Sequence, residues 1–304
     1  MKAKIIVLIL IVVVAGGLAW WWSRAQRVDV QFASNGIDFA RLEHEFPLST
    51  RERESLTPER LASYSQEEVD QIYGRLTAGP IPDGVYDGDL FFPRGTDSET
   101  RLGEIIAGHL QARIANLGVR KTESLGRLLW KGKVFYRDQR LLRNRIEDLA
   151  ALAPITGGNT DGIEKLTVNG RDTFLLFPAR LYCGQSLLDG RRESVIIDYA
   201  FTDELPGYRE SPDALGGRNG FRIRDEIRMV RPGFYLGRAY MKGVFGLNFT
   251  LINRDAEAAG QADFRAGRVA EDCWAGRQVA AGLPPSLKLR RTAEALAEAG
   301  QTRR

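Results

Sequence analysis

Two regimes of hydrophobic spacing divide this chain. Between residues 37 and 78 the apolar positions Leu61, Tyr64, Val69, Ile72, Tyr73 and Leu76 recur at three- and four-residue intervals, which predicts one apolar helical face. Thr57-Pro58-Glu59 supplies a helix start, with Thr57 as N-cap and Pro58 at the first helical position. The run Arg51-Glu52-Arg53-Glu54 reads as a solvated surface, and Gly79-Pro80-Ile81-Pro82-Asp83-Gly84 ends the helical regime. Beyond it the pattern becomes strand-like over Val85–Phe92, Leu128–Tyr136, Leu141–Ile146, Leu166–Val168, Asp172–Arg180, Ser194–Phe201, Phe221–Val230, Phe234–Met241 and Val244–Ile252. Asn169-Gly170 is a tight-hairpin signal, and Pro232-Gly233 and Lys242-Gly243 mark further turns. One amphipathic helix, about Glu99 to Leu117, interrupts the series, and a short one is expected over Pro285–Ala299. About eight or nine strands with short connections predict a mainly β (α+β) fold, an antiparallel barrel or sandwich. A parallel α/β sheet would need a helix between successive strands.

A different pattern occupies the N-terminus. Ile5 to Trp22 is eighteen residues without a charge, and as a helix it would extend roughly 27 Å, close to the hydrocarbon thickness of a bilayer. Lys2 and Lys4 precede it, and Trp20, Trp21 and Trp22 end it as a membrane-interface belt. A cleaved signal peptide would have a shorter apolar region and small residues before the cut, so an uncleaved anchor is the expectation. The short basic leader places the N-terminus inside and the rest outside, in bacterial terms an inner-membrane protein with a periplasmic domain. The expected organisation is an anchor over 1–23, a helical linker over 24–79, a barrel-like domain over 80–275 and a helical tail over 276–304.

Composition changes this picture little. With 43% hydrophobic and 27% charged residues, the 304-residue chain can bury a core. Its 43 Lys and Arg against 39 Asp and Glu leave a small positive excess, and no basic stripe interleaved with aromatics predicts nucleic acid as a partner. Cys183 and Cys273 have no metal-ligand spacing; either they form a disulfide in an oxidising compartment or they are two unrelated buried thiols. His44 and His109 have no ligand neighbours, so no metal is expected, and Gly-x-Ser-x-Gly is absent. Gly216-Gly217-Arg218-Asn219-Gly220 lacks the setting of a phosphate loop and reads as a mobile loop.

The chemistry concentrates between Phe221 and Ile252. In the first strand Ile223, Asp225, Ile227 and Met229 share one face. A four-residue turn over Val230–Gly233 would set Met229 against Phe234, Ile227 against Leu236, Asp225 against Arg238 and Ile223 against Tyr240. Asp225 and Arg238 would then pair on the inner face, either as a structural ion pair or as the anchor for a polar ligand head in an apolar cavity. Tyr199 and Tyr182 are further pocket candidates; Asp198 could face inward or outward, and Trp130 reads as core.

Gly84-Val85-Tyr86-Asp87-Gly88 resembles the Gly-x-Trp-x-Gly opening strand of GXWXG, nitrobindin-type and lipocalin-like barrels, with tyrosine in the tryptophan place. Trp130-Lys131-Gly132-Lys133 and Tyr235-Leu236-Gly237-Arg238-Ala239-Tyr240-Met241-Lys242-Gly243 are similar to phrases of the same proteins. The resemblance implies a calycin-like barrel with an apolar interior over residues 80–252. The haem-binding relatives use a C-terminal histidine, and none follows His109, so no cofactor is expected.

These readings lead to a membrane-anchored binding protein for an apolar or amphipathic small molecule of the lipid or quinone class. The alternatives are a filled barrel that docks on a membrane protein partner, and an enzyme using an inward carboxylate.

Overall fold

The computed structural model describes residues 29–34, 38–92, 130–149 and 161–276. The apolar stretch with Trp20, Trp21 and Trp22, the helix expected over 99–117, His109 and the expected C-terminal helix lie outside them. No helix among the described residues is long and apolar enough to cross a membrane.

Nine strands follow four short helices: β1 (Gly84–Phe91), β2 (Trp130–Tyr136), β3 (Leu141–Ile146), β4 (Lys165–Val168), β5 (Arg171–Gln185), β6 (Glu193–Asp198), β7 (Ile223–Arg231), β8 (Phe234–Met241) and β9 (Val244–Ile252). All pairings are antiparallel. The sheet runs β3-β2-β1-β9-β8-β7-β6-β5-β4, and an additional pairing of β3 with β5 closes eight of the strands into a barrel. β4 is left outside the ring and, among the described residues, pairs with β5 alone. Asn169 and Gly170 both take positive φ between β4 and β5, as do Lys242 and Gly243 between β8 and β9. Such a two-residue turn matches the twist of the strands that it joins.

The helices are α1 (Phe39–Glu45), α2 (Thr50–Ser55), α3 (Pro58–Ser63) and α4 (Gln66–Arg75). Thr57 caps α3 as its sequence suggests, accepting from Arg60 N. The helical face does not continue past Tyr64, because Ser65 restarts the chain with a capping box to Glu68. A single turn, α5 (Glu210–Asp213), precedes β7, and α6 (Arg254–Arg265) follows β9 where the sequence suggested no helix.

Two cores result. Inside the barrel, Tyr86, Phe135, Leu142, Leu181, Val195, Ile197, Ile227, Met229, Tyr235 and Leu251 are buried together. Outside it, Leu56, Leu61, Val69, Ile72, Tyr73 and Leu76 of the helical segment pack with Phe91, Val230, Phe234 and Leu236 of the sheet. The helical segment is therefore a layer of the fold, and β7–β9 are covered on both faces.

That second layer encloses charge. Arg228 is fully buried; its guanidinium donates to Ser194 Oγ, Tyr73 O, Asp189 Oδ2, Asp189 O and Arg192 O. Arg53, in the run expected to be solvated, donates to Val230 O (2.6 Å) and Met229 O (3.0 Å).

The carbonyls that Arg53 caps belong to a β-bulge. Met229 pairs with Tyr235 but Arg231 with Phe234, so β7 carries one extra residue at Val230 before the Pro232-Gly233 turn. This shifts the expected pairing by one. Asp225 stands opposite Ala239, and Arg238 stands opposite Glu226. Side chains alternate with period two, so the shift sends the whole expected β8 set to the outer face. The Asp225–Arg238 pair does not form. Arg238 lies under the helical layer, bonded to Tyr240 Oη (3.0 Å) and to Asp70 of α4.

Residues 271–273 close one end of the barrel. Glu271 accepts from Gly79 N (2.7 Å) and Asp272 from Ile81 N (2.8 Å). Cys273 is disulfide-bonded to Cys183 of β5, with their Cα atoms 5.3 Å apart and the residues 90 positions apart in sequence. A loop of that length constrains the unfolded chain by about 4–5 kcal/mol in the chain-entropy account, with about 2–5 kcal/mol the usual cost of removing a native bridge. Replacing both cysteines by serine should lower the unfolding free energy by an amount in that range in a urea titration. Unchanged stability would mean that the hydrogen bonds of Glu271 and Asp272 hold the segment unaided.

Candidate functional site

Among the described residues, the barrel is filled at one end only. Tyr86, Phe135, Tyr235 and Leu251 pack the half closed by Ala78, Ile81 and Cys273. Toward the other end lies a cavity of about 220 Å3 whose apolar wall includes Leu90, Trp130, Ile146, Phe177, Ile223 and Phe249. Its polar lining is Lys133, Asn144, Tyr199 and Asp225.

Bulges bring these side chains inward. Trp130 pairs with Ile146 but Gly132 with Arg145, so an extra residue at Lys131 turns Trp130 and Lys133 to the same face. Lys131 itself goes outward to Glu147 at 2.9 Å. Gly88 lets the indole lie against the sheet, since a Cβ there would sit 2.3 Å from Trp130 Cη2. In β5 an extra residue between the partners of Leu142 and Asn144 accompanies Phe177, whose φ is 51° and whose N–H donates to Asp213 of α5 (2.7 Å). The β7 bulge decides which β8 residues face Asp225's side of the sheet, as described above.

The polar groups form one connected cluster. Lys133 Nζ donates to Asn144 Oδ1 (2.8 Å), Tyr199 Oη (2.7 Å) and Asp225 Oδ2 (3.0 Å). Asn144 Oδ1 also accepts from Trp130 Nε1 (2.9 Å), and its Nδ2 donates to Tyr199 Oη (2.9 Å) and Phe177 O (3.0 Å). Tyr199 Oη donates to Asp225 Oδ2 over 3.5 Å. Lys133 Nζ further lies 5.4 Å from the Trp130 ring centroid and 5.5 Å from that of Phe249, within cation–π range.

No family model matches this chain, and no curated protein matches it. Among solved structures, one described as the crystal structure of a protein from Thermomonospora curvata matches at 18% identity over 63% of this chain and 88% of that chain, with a TM-score of 0.31. A likeness at that score carries no argument.

Of the residues singled out in the sequence, Asp225, Tyr199 and Ile223 line the cavity. Ile227 is on the same inner face but in the filled half, while Leu236 belongs to the core beneath the helices. Arg238 and Tyr240 are outside the barrel wall together. Tyr182 is partly exposed and donates to Asp198 Oδ2 (2.7 Å), an outward pair. Gly216, from the stretch expected to be a mobile loop, lines the cavity, and its N–H donates to Asp213 O (3.1 Å). His44 is exposed on α1.

Lys133 and Asn144 are the residues that sequence reasoning missed. Between Gly132 and Val134, a lysine in a strand reads as solvent-facing; the isolated Gly132 was the available sign of a bulge. Asn144, flanked by Arg143 and Arg145, carries no comparable sign.

Burial opposes the Lys133 charge, but the Asp225 carboxylate and the Tyr199 hydroxyl outweigh it and hold the ammonium above the ordinary lysine range. Burial pushes the Asp225 carboxyl up against the pull of Lys133. Burial also pushes the Tyr199 hydroxyl up, to about 12.

Two outcomes follow. Lys133→Met alone or Asp225→Leu alone strands a buried partner and should cost about 3–5 kcal/mol, whereas the double substitution should be roughly neutral; a chemical-denaturation cycle measures the difference. The second concerns alkaline pH. The folded state keeps the Tyr199 proton while the unfolded chain releases its own at about pH 10, so unfolding gains favour as pH rises. Stability should therefore fall between about pH 10 and 12, by up to about 1.4 kcal/mol per pH unit from this group. Tyr199→Phe should flatten that part of the profile.

Proposed function

We propose that this chain is a binding protein for a small apolar molecule held in the open half of its barrel. The observation that carries the reading is an apolar cavity of about 220 Å3 with one connected polar cluster in its wall. Concave, mostly apolar sites with a few convergent polar groups are the usual form of small-molecule pockets. An apolar cavity of about 150 Å3 holds benzene, so this one suits a substituted ring or a short chain. A whole lipid would exceed it, which narrows the expected lipid or quinone class to a ring-sized head whose tail emerges from the barrel.

The cluster favours binding over proton-transfer or amine chemistry. All three Lys133 N–H groups meet protein oxygens, and a lysine held charged is a poor nucleophile. A calycin-like relationship agrees with the strand count. The disulfide favours an oxidising compartment. Together with the apolar residues Ile5–Trp22, it supports a domain held outside the cytoplasm on a membrane anchor.

Filling the cavity tests the reading without touching the charged cluster. Ala239 lines it, and Ala239→Trp should occupy the space. Native mass spectrometry of the purified full chain, with an organic extract of the same sample, should find an apolar molecule in the parent protein and none in a folded Ala239→Trp variant. A parent protein free of ligand would favour a filled barrel that docks on a partner.

A further inference from the structure

The polar lining of the cavity can be accounted for bond by bond. Lys133 has three donors, engaged with Asn144, Tyr199 and Asp225. Trp130 has one N–H, which Asn144 Oδ1 accepts. The orientation of the Asn144 amide is forced, because Trp130 and Lys133 can only donate and their shared partner must be the oxygen. The amide nitrogen donates both its protons, to Tyr199 Oη and Phe177 O. Tyr199 Oη accepts twice, from Lys133 and Asn144, and directs its own proton to Asp225 Oδ2.

One side remains open. Both bonds to Asp225 go to Oδ2, and Oδ1 has no hydrogen-bond partner among the described residues. The residue is only 5% exposed, lies inside the barrel and lines the cavity. A carboxylate oxygen that faces the cavity without a protein donor is free to accept, so a bound group that supplies a donor gains a charge-assisted hydrogen bond. The neighbouring donors are committed, so a carbonyl or ether oxygen entering the cavity has to displace an existing bond.

We infer that Asp225 Oδ1 selects the ligand, and that the cavity takes an aromatic ring bearing a hydrogen-bond donor, a phenol or hydroquinone hydroxyl, in preference to a ring bearing only an acceptor or none. This rests on the binding reading above and names its ligand class. The ring packs against Trp130, Phe177 and Phe249, and the hydroxyl proton points at Asp225 Oδ1. The oxidised partner of a hydroquinone, with two carbonyls and no proton, is disfavoured.

Three probes of nearly one shape separate the possibilities. 4-Methylphenol carries the donor, p-xylene replaces its hydroxyl by a methyl group, and 4-methylanisole keeps the oxygen without its proton. Calorimetric titration of the full chain, with the Ala239→Trp variant as the blank for partitioning, gives the three affinities. Transfer from water alone would rank p-xylene ahead of 4-methylphenol. The inference expects the reverse, 4-methylphenol at least about tenfold tighter than both others, as a hydrogen bond to a charged group warrants. In the Lys133→Met/Asp225→Leu double variant the order should revert, with p-xylene first.

p-Xylene equal to or tighter than 4-methylphenol, or 4-methylanisole equal to it, overturns the inference and leaves the binding reading standing. No probe binding above the Ala239→Trp blank would instead sink the binding reading itself.

Discussion

The extra residue at Val230 governs what this barrel encloses. β-Strand side chains alternate, so a single inserted residue exchanges every inner position for an outer one along the partner strand. Because of it, Tyr235, Ala239 and Met241 join the barrel interior, while Phe234, Leu236, Arg238 and Tyr240 belong to the side that the helices cover. At the bulge, Arg53 of α2 donates to the Met229 and Val230 carbonyls. The helical layer and the register of the sheet thus support each other, and Arg228 and Arg238 find their partners only in that arrangement.

Irregularities of the same kind build the site. The bulge at Lys131 turns Trp130 and Lys133 inward together, and the one in β5 accompanies Phe177. A fourth, between Phe245 and Leu247 in β9, leaves Leu247 in the cavity wall with Phe249 and Phe245 beside Arg238. Bulges cost regular ladder hydrogen bonds and are common near functional sites, where they re-aim side chains. Here they gather a lysine, an asparagine, a tyrosine and an aspartate from β2, β3, the end of β6 and β7 around one point.

The two halves of the interior therefore differ in kind. One is packed by aromatic and aliphatic side chains and held shut by the segment that the Cys183–Cys273 bridge ties down. The other keeps a cavity beside a charge pair whose burial is offset by a complete set of mutual hydrogen bonds, save at one carboxylate oxygen. Close packing at one end and unfilled space at the other set the two halves apart.

Strand positions and turn sites were legible in the residues alone, because alternation and the Asn169-Gly170, Pro232-Gly233 and Lys242-Gly243 pairs act locally. β8 and β9 fall over the spans that their patterns predict, and Asp225 was recognisable as an acid on an apolar strand face. Its partner was not legible. Arg238 and Lys133 are both cations within strands, and choosing between them requires the register, which one bulged residue reverses. Likewise Arg53 and Glu54 look like a solvated charge run until the bulge carbonyls and Arg265 are brought to them. Local sequence determined the elements and the alternation within each; only the tertiary structure decided which face became the interior, because that choice depends on pairing between segments distant in the chain.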